Sequence, residues 1–325
     1  MRRPGTALLL LLCLAVLSAG FGLLIGSASL SLSDYRLALL APDSVPAQIV
    51  WELRAPRVYA GFCVGALLSV AGTFLQALLR NPLADPYVFG VSSGAALGML
   101  VAMLLGLGAA ASYGFGLTGA AAVALIVAAL SYRVGDWNPY RLLLTGVVIA
   151  AGLNAGIGLI LTLSPEAAVK GMLYWLMGDL SHAPAPLSVG VLLLALCGMG
   201  VAGGPAINAL AVGRLKAATL GVATGRLELL LYLGAALAAT AAVLIAGTVG
   251  FVGLIVPHLV RMIGIHDHRW LVPCAALAGG ALLALADTLA RSAWAPLQLP
   301  VGVLTALIGV PVLLALIARR EDAAR

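Results

Sequence analysis

Long apolar runs recur along the chain, each closed by a short polar knot. The run from Val58 to Leu79 sets the pattern. At about 1.5 Å per residue it can cross a hydrocarbon core of about 30 Å. Arg80-Asn81-Pro82-Leu83-Ala84-Asp85-Pro86 follows, and a second apolar run opens at Tyr87. Each proline removes a backbone donor and restricts the residue before it, so this knot cannot be helical throughout. The stretch reads as a membrane hairpin with a charged mouth at Arg54 and Arg57, a spanning helix, a proline-locked turn and a second spanning helix.

The same pattern predicts about ten crossings. Ala7 to Ile25 follows Arg2 and Arg3 and precedes Ser27-Ala28-Ser29, as a signal peptide would. It outruns the apolar region of about 7–15 residues that such a signal carries, so it is read as the first membrane helix. Leu30 to Leu53 is more polar and reads as an external surface segment. After the hairpin, further helices are expected over Leu117–Leu130, Leu142–Leu163, Leu187–Val201, Leu229–Ala246, from Leu254, over Leu271–Ala290 and over Leu299–Ala318. Arg133 to Arg141, with Asp136, Asn138 and Pro139, is a turn. Pro165 to His182 is an outer segment whose apolar turn, Met172 to Met177, suits a short interfacial helix. Gly203 to Glu228 is a long inner loop, and Gly247 to Gly253 interrupts the pattern before the eighth helix. Small-residue spacings at Gly61/Gly65, Gly94/Gly98 and Gly152/Gly156 permit close helix approach. Ala71-Gly72-Thr73 and Ala246-Gly247-Thr248 stand at the same distance from Pro82 and Pro257, a weak echo that fits an inverted repeat or chance.

Composition fixes the class. The 325 residues are 62% hydrophobic and 9% charged, with mean hydropathy +1.11. Soluble domains carry about 25% charged residues, so a soluble core is excluded. The fold class is all-α: a polytopic membrane protein, with residues 1–325 as a single membrane domain. Net charge is +6. With the N-terminus inside, Arg36, Arg54, Arg57, Lys170 and Arg291 fall outside, and all other basic residues, Arg325 included, fall inside, as the positive-inside rule favours. Because these residues lie in separate short loops, they form no nucleic-acid surface. The five tryptophans (Trp51, Trp137, Trp175, Trp270 and Trp294) all fall near segment ends, as in an aromatic belt. Cys13, Cys63, Cys197 and Cys274 show no metal-ligand spacing and read as small thiols in apolar runs.

Candidate chemistry is sparse. A P-loop needs Gly-Lys followed by Ser or Thr, and the two lysines here precede Gly171 and Ala217. Gly90-Val91-Ser92-Ser93-Gly94 matches G-x-S-x-G, but helical flanks do not make a nucleophile elbow. His266 and His268 share a turn with Asp267, where solvation is the default, and His258 and His182 read as structural rather than metal-ligating. Asp287 is an acid inside a spanning helix, where acids are usually functional. Arg291, four residues on, offers it a structural partner instead.

Arg54-x-Pro56-Arg57, Gly65, Gly72, Gln76, Arg80-Asn81-Pro82-Leu83-Ala84-x-Pro86 and Gly90-x-x-x-Gly94-Ala95 stand in one specific order. Gly250-Phe251-Val252-Gly253-Leu254-Ile255-Val256-Pro257-His258, Asp267-His268-Arg269, Ala286-Asp287 and Leu299-Pro300-Val301-Gly302 extend the pattern. In these the chain resembles, over nearly its whole length, the ten-helix permeases of ABC importers for iron-siderophore complexes, haem and cobalamin. The resemblance implies a cobalamin-importer-permease-like bundle in a bacterial inner membrane, with both termini cytoplasmic. It also implies a second copy of the chain, two ATP-binding cassette subunits that hold the ATP and Mg, and a periplasmic substrate-binding protein. No cofactor belongs to this chain itself. Arg54, Arg57 and Arg291 would dock acidic residues of the binding protein. Gly213, Ala217, Ala218, Leu220 and Gly221 would belong to a coupling helix over Ala217–Val222 that seats in the ATPase. The family usually has acids close to this element, where this chain has Arg214 and Lys216. Asn81, Leu83, Pro139 and Tyr140 would form the cytoplasmic gate, and the fifth and tenth helices would line the path. An ion-coupled secondary transporter is the main rival, resting on Asp287, and a membrane hydrolase on Ser92 ranks third.

Overall fold

The computed structural model describes residues 4–133, 136–137, 139–181, 183 and 186–324. Arg2, Arg3, Asn138, His182 and Arg325 lie outside the described residues. The chain runs through α1 (Pro4–Leu24), α2 (Leu32–Leu40) and α3 (Val45–Ala47), then a π-helical turn over Gln48–Arg54 into α4 (Ala55–Leu79). A 3-10 turn, Pro86–Phe89, leads to α5 (Val91–Leu104) and α6 (Ala109–Ser131). A two-residue antiparallel ribbon pairs Tyr132–Arg133 with Asp136–Trp137. Then come α7 (Pro139–Leu163), α8 (Glu166–Leu176), α9 (Leu187–Ala202), α10 (Gly204–Val212), α11 (Arg214–Thr219), α12 (Thr224–Ala246), α13 (Val252–Met262), α14 (His268–Ser292) and α15 (Val301–Ala324).

Among the described residues six helices are long and apolar enough to span a membrane: α1, the Val45–Leu79 run, α6, α7, α12 and α14. The pair α9 and α10 reaches span length with a 64° bend, and α5, α13 and α15 are shorter apolar helices. These elements coincide with the expected crossings and are compatible with ten.

Two boundaries differ from expectation. The expected surface segment Leu30–Leu53 is largely exposed, but its last residues are not separate from the span, because Val45 to Leu79 is one continuous helical run. Pro56 has no N–H to return to the preceding turn, and Ala55 instead donates back five residues to the Val50 carbonyl. The helix widens by one residue there and continues. The inner loop Gly203–Glu228 is mostly helical, folded into α10, α11 and the start of α12.

Helix α4 is the axis of the bundle, buried almost continuously from Val58 to Leu78. Around it pack α14, α12, α13 and α9. Small residues allow this. A Cβ on Gly72 would lie 1.8 Å from the Gly253 carbonyl oxygen, and one on Gly65 2.2 Å from that of Gly279. Hydroxyls along the same face are satisfied within their own helices: Ser69 donates to the Gly65 carbonyl at 2.9 Å, and Thr73 to Ser69 at 2.8 Å. The Gly94/Gly98 pair seats α5 on α6, with a Cβ at Gly98 2.1 Å from the Phe115 carbonyl oxygen. Gly152 of the third small-residue pair faces open space, with nothing within 4 Å of its would-be Cβ.

Gly72→Ala is expected to abolish the folded, monodisperse protein in detergent, because the obstacle is backbone. Gly114→Ala, on an open face of α6, is expected to hold or raise the melting temperature through helix propensity, worth about 1 kcal/mol. Comparable melting of both variants would refute the close-packed axis.

Candidate functional site

Helices α4 and α14 run antiparallel, and charged groups gather where their ends meet. At the start of α4, Arg57 makes a forked pair with Asp287 near the end of α14: Nε lies 2.9 Å from Oδ2 and Nη2 2.8 Å from Oδ1. Its remaining nitrogen, Nη1, donates to Gln298 Oε1 at 2.7 Å. Asp287 is 2% exposed. Arg291 Nε lies 3.7 Å from the same carboxylate, and its Nη2 donates to the Gly22 carbonyl of α1. Arg54 reaches inward too, donating from Nη1 to the Leu23 and Leu24 carbonyls at 2.9 and 3.0 Å and to the Tyr35 hydroxyl at 2.7 Å. These bonds tie the end of α1 and the short helix α2 to the α4–α14 pair.

All three arginines expected to dock a partner have partners within the chain. Arg54 and Arg291 are each 4% exposed and spend their donors on backbone carbonyls and an internal acid. Of the three, Arg57 alone reaches the rim. Asp287 does have a structural role, but its main partner is Arg57, 230 residues away, and not the helical neighbour Arg291. Local spacing carries no signal for such a pair.

At the other end of α4 the polar knot is a compact turn. Arg80 adopts a left-handed conformation (φ 51°), Asn81 Oδ1 accepts the Leu83 N–H at 3.0 Å, and the Asp85 carboxylate caps the 3-10 turn by accepting the Tyr87 N–H at 2.8 Å. Buried Gln76 staples this knot to α13, with its amide donating to the Leu254 carbonyl at 3.1 Å and its oxygen accepting from Arg261. Leu83 is exposed on the knot, and Tyr140, in the first turn of α7, is 86% exposed. Pro139 opens α7.

The short helix expected at Ala217–Val222 lies three residues earlier, as α11. Gly213 separates it from α10, and Gly221, at φ +81°, ends it. Ala217 is the buried anchor, whereas Leu215 and Leu220 are 84% and 74% exposed. Arg214 stands where the resembling family carries acids, and it is used inside the chain: its Nε lies 3.3 Å from Oε1 of buried Glu228 on α12. The charge that departs from the family pattern therefore ties α11 to α12.

His268 departs from expectation. It is not in a solvated turn but 4% exposed at the start of α14, with Nδ1 2.6 Å from Asn208 Oδ1. Asp267 caps that helix at the Arg269 N–H. The Arg269 guanidinium, with the Asn208 amide, holds the Asp267 carboxyl down to about 2. A depressed carboxyl contributes stability above its ordinary pKa and loses it as pH falls through the folded value, so this cap holds through the neutral range. Among the described residues no cluster of three His, Cys, Asp or Glu could hold a metal ion. Ser92, 4% exposed, sits in the first turn of α5 behind a 3-10 turn and Gly90, which is not the strand a nucleophile elbow needs.

With the geometry in hand, the comparisons are decisive. A profile of the FecCD transport family matches residues 8–319. The chain belongs to the FecCD transport family. It is similar to the hemin transport system permease protein HmuU of Yersinia pestis, at 39% identity over 98% of this chain and 96% of that one. It is similar to the vitamin B12 import system permease protein BtuC of Escherichia coli O127:H6, at 35% identity over 95% and 94%. A solved inward-facing conformation of a metal-chelate type ABC transporter superposes with a TM-score of 0.83 at 29% identity, covering 97% of this chain and 99% of that one. Membership in the FecCD family makes the chain a transport permease and leaves the ion-coupled reading without support.

Asp287→Asn is expected to lower stability by about 3–5 kcal/mol, because it strands buried arginines without their carboxylate. Asp287→Asn combined with Arg57→Gln should recover part of that loss. Thermal unfolding of the purified chain reads both, and additive losses would show that the two side chains act separately. Charge reversal at both Arg54 and Arg57, the natural test of docking, would chiefly report the collapse of this network.

Proposed function

We propose that this FecCD permease is the membrane-spanning subunit of a binding-protein-dependent ABC importer that moves a bulky metal chelate (haem, a ferric siderophore or cobalamin) into the cytoplasm. The observation that carries this is the end-to-end likeness to importer permeases whose own names specify hemin and vitamin B12. In this reading the chain is a single permease domain in a bacterial inner membrane with both termini cytoplasmic. Two copies enclose the path, two ATPase subunits dock inside and a substrate-binding protein docks outside. ATP and Mg belong to the ATPase subunits.

The parts take these roles. The Leu215 and Leu220 side chains of α11, exposed beside the buried anchor Ala217, suit an apolar cleft on the ATPase. Gly213 and Gly221 bound the element, and Ala218 lies on its open face. Nucleotide-driven motion of α11 passes to α12 through Arg214–Glu228 and from there to the bundle. Asn81 and Leu83 on the knot, with Pro139 and Tyr140 at the start of α7, close the cytoplasmic side against the second copy. Helices α7 and α15 line the path. Outside, Arg54, Arg57 and Arg291 are engaged within the chain, so as a docking cluster they act through their summed positive field, which steers and registers an acidic partner more than it holds it.

Reconstitution tests this. The chain alone in vesicles should hydrolyse no nucleotide and accumulate nothing, and uptake should appear only with ATPase and binding protein added. Uphill accumulation by the chain unaided would overturn the proposal. Leu215→Asp with Leu220→Asp should cut ATP-driven uptake by at least about tenfold while the melting temperature of the isolated chain stays unchanged, because both side chains are exposed. Retained uptake would remove the coupling role of α11.

A further inference from the structure

Where the ends of α4, α10, α13 and α14 meet, on the Arg80 side of the bundle, lies a cavity of about 450 Å³. Arg80, Arg261 and His268 line it together with Asp267, whose carboxylate is held by Arg269 and Asn208, and with apolar Ala77, Pro82 and Val212. None of these residues has been given a part in transport above.

Two features make this a built site. The first is Arg261. It is partly buried, and its recorded hydrogen-bond partner is the neutral amide oxygen of Gln76. Among the described residues no carboxylate lies within salt-bridge distance of it. A cation held from water without an acid is costly, and within a membrane bundle it marks a place where an anion belongs. Exposed Arg80 supplies a second positive charge to the same cavity.

The second is His268. The Asn208 amide donates to the Asp267 carboxylate at 2.8 Å, and its oxygen accepts the His268 backbone N–H at 2.9 Å. That oxygen also faces Nδ1 of His268 at 2.6 Å. An oxygen offers no proton, so Nδ1 carries the hydrogen of the neutral ring and Nε2 is left as a lone pair. Nε2 is buried without a partner. The cavity therefore offers two guanidinium groups and one acceptor that lacks a donor, its one lining carboxylate, Asp267, being already paired with Arg269, and apolar Ala77, Pro82 and Val212 complete the lining.

We propose that this cavity binds the headgroup of an anionic phospholipid: the phosphodiester between Arg80 and Arg261, a headgroup hydroxyl donating to His268 Nε2, and the glycerol backbone against Ala77, Pro82 and Val212. Basic pockets between spanning helices are the usual receptors for such headgroups. The apolar part of the lining favours a lipid over a free ion. The inference rests on the chain spanning a membrane and not on its substrate or partners.

Native mass spectrometry of the full chain in detergent tests it, with dioleoylphosphatidylglycerol, dioleoylphosphatidylcholine and inorganic phosphate as probes. Phosphatidylglycerol should bind one per cavity, more tightly than phosphatidylcholine. Arg80→Gln and Arg261→Gln should each weaken it by about fivefold. Arg80 is exposed, so Arg80→Gln gives a reading even if Arg261→Gln does not fold. Equal affinity in the unaltered chain and in Arg80→Gln, or equal affinity for the two lipids, would overturn the proposal. So would binding of inorganic phosphate that the lipid does not displace, which would mark a free-phosphate site. Loss of phosphatidylglycerol from the chain once ATPase subunits are bound would assign the cavity to an acidic segment of that partner and overturn it as well.

Discussion

The bundle depends on how closely α4 can be approached. A helix buried along nearly its whole length inside a membrane gains nothing from excluding water, since lipid tails are as apolar as leucine. What holds it is dispersion at short range, and short range needs backbone against backbone. Gly65 and Gly72 deliver that on α14 and α13, where any side chain would meet a carbonyl oxygen. The same requirement explains the serines and threonines on this face, which are small enough to fit and hide their donors on the preceding turn. Neither property is available to a leucine-rich helix, however hydrophobic.

Close packing of apolar backbones does not by itself choose a register, and charge does. The forked Arg57–Asp287 pair fixes one end of the α4–α14 seam, Arg54 and Arg291 extend it to α1 through backbone carbonyls, and Arg54 reaches α2 through the Tyr35 hydroxyl. Opposite them, Gln76 holds the polar knot to α13, and Asn208 holds the bent end of α10 to the start of α14. Polar groups buried in a bundle of this kind are costly if unmatched, so a slip of one turn along the seam would strand several at once. The charged ends thus act as registry pins, and the glycines between them set the distance.

Much of this was legible in the sequence, because each legible feature is local. Apolar runs of span length gave the helices, and proline, glycine and asparagine gave the knot at 80–90. Spacing on single helices gave the close packing of α5 on α6. Three features were not legible, for one shared reason. The run before Val58 carries Glu52, Arg54 and Pro56 and looks like surface, yet it is helical because a π-turn absorbs the proline and Arg54 turns inward. His268 looked solvated because its turn is polar, but Asn208, 60 residues earlier, draws it into the fold. Arg54 and Arg291 looked like a docking surface because charges beside a span usually face water. Of their partners only Asp287, four residues before Arg291, was marked by periodicity, and the carbonyls of α1 and the Tyr35 hydroxyl were not.

The open faces of this single chain obey different logic from those of a soluble protein. Helices α1, α6 and α7 leave most of their length uncovered, and in lipid that costs little, so exposure alone does not mark an interface. Helix α1 turns large apolar side chains outward, Leu9, Leu10 and Leu17 among them. Helix α7 instead turns Gly152 outward with nothing near it, beside Leu159 and Leu163. Glycine on a helix face meets another backbone at Gly65, Gly72 and Gly98, whereas Gly20 of α1 and Gly114 of α6 face open space as Gly152 does. Exposure and an open glycine alone therefore do not distinguish a lipid-facing surface from one that meets another protein chain.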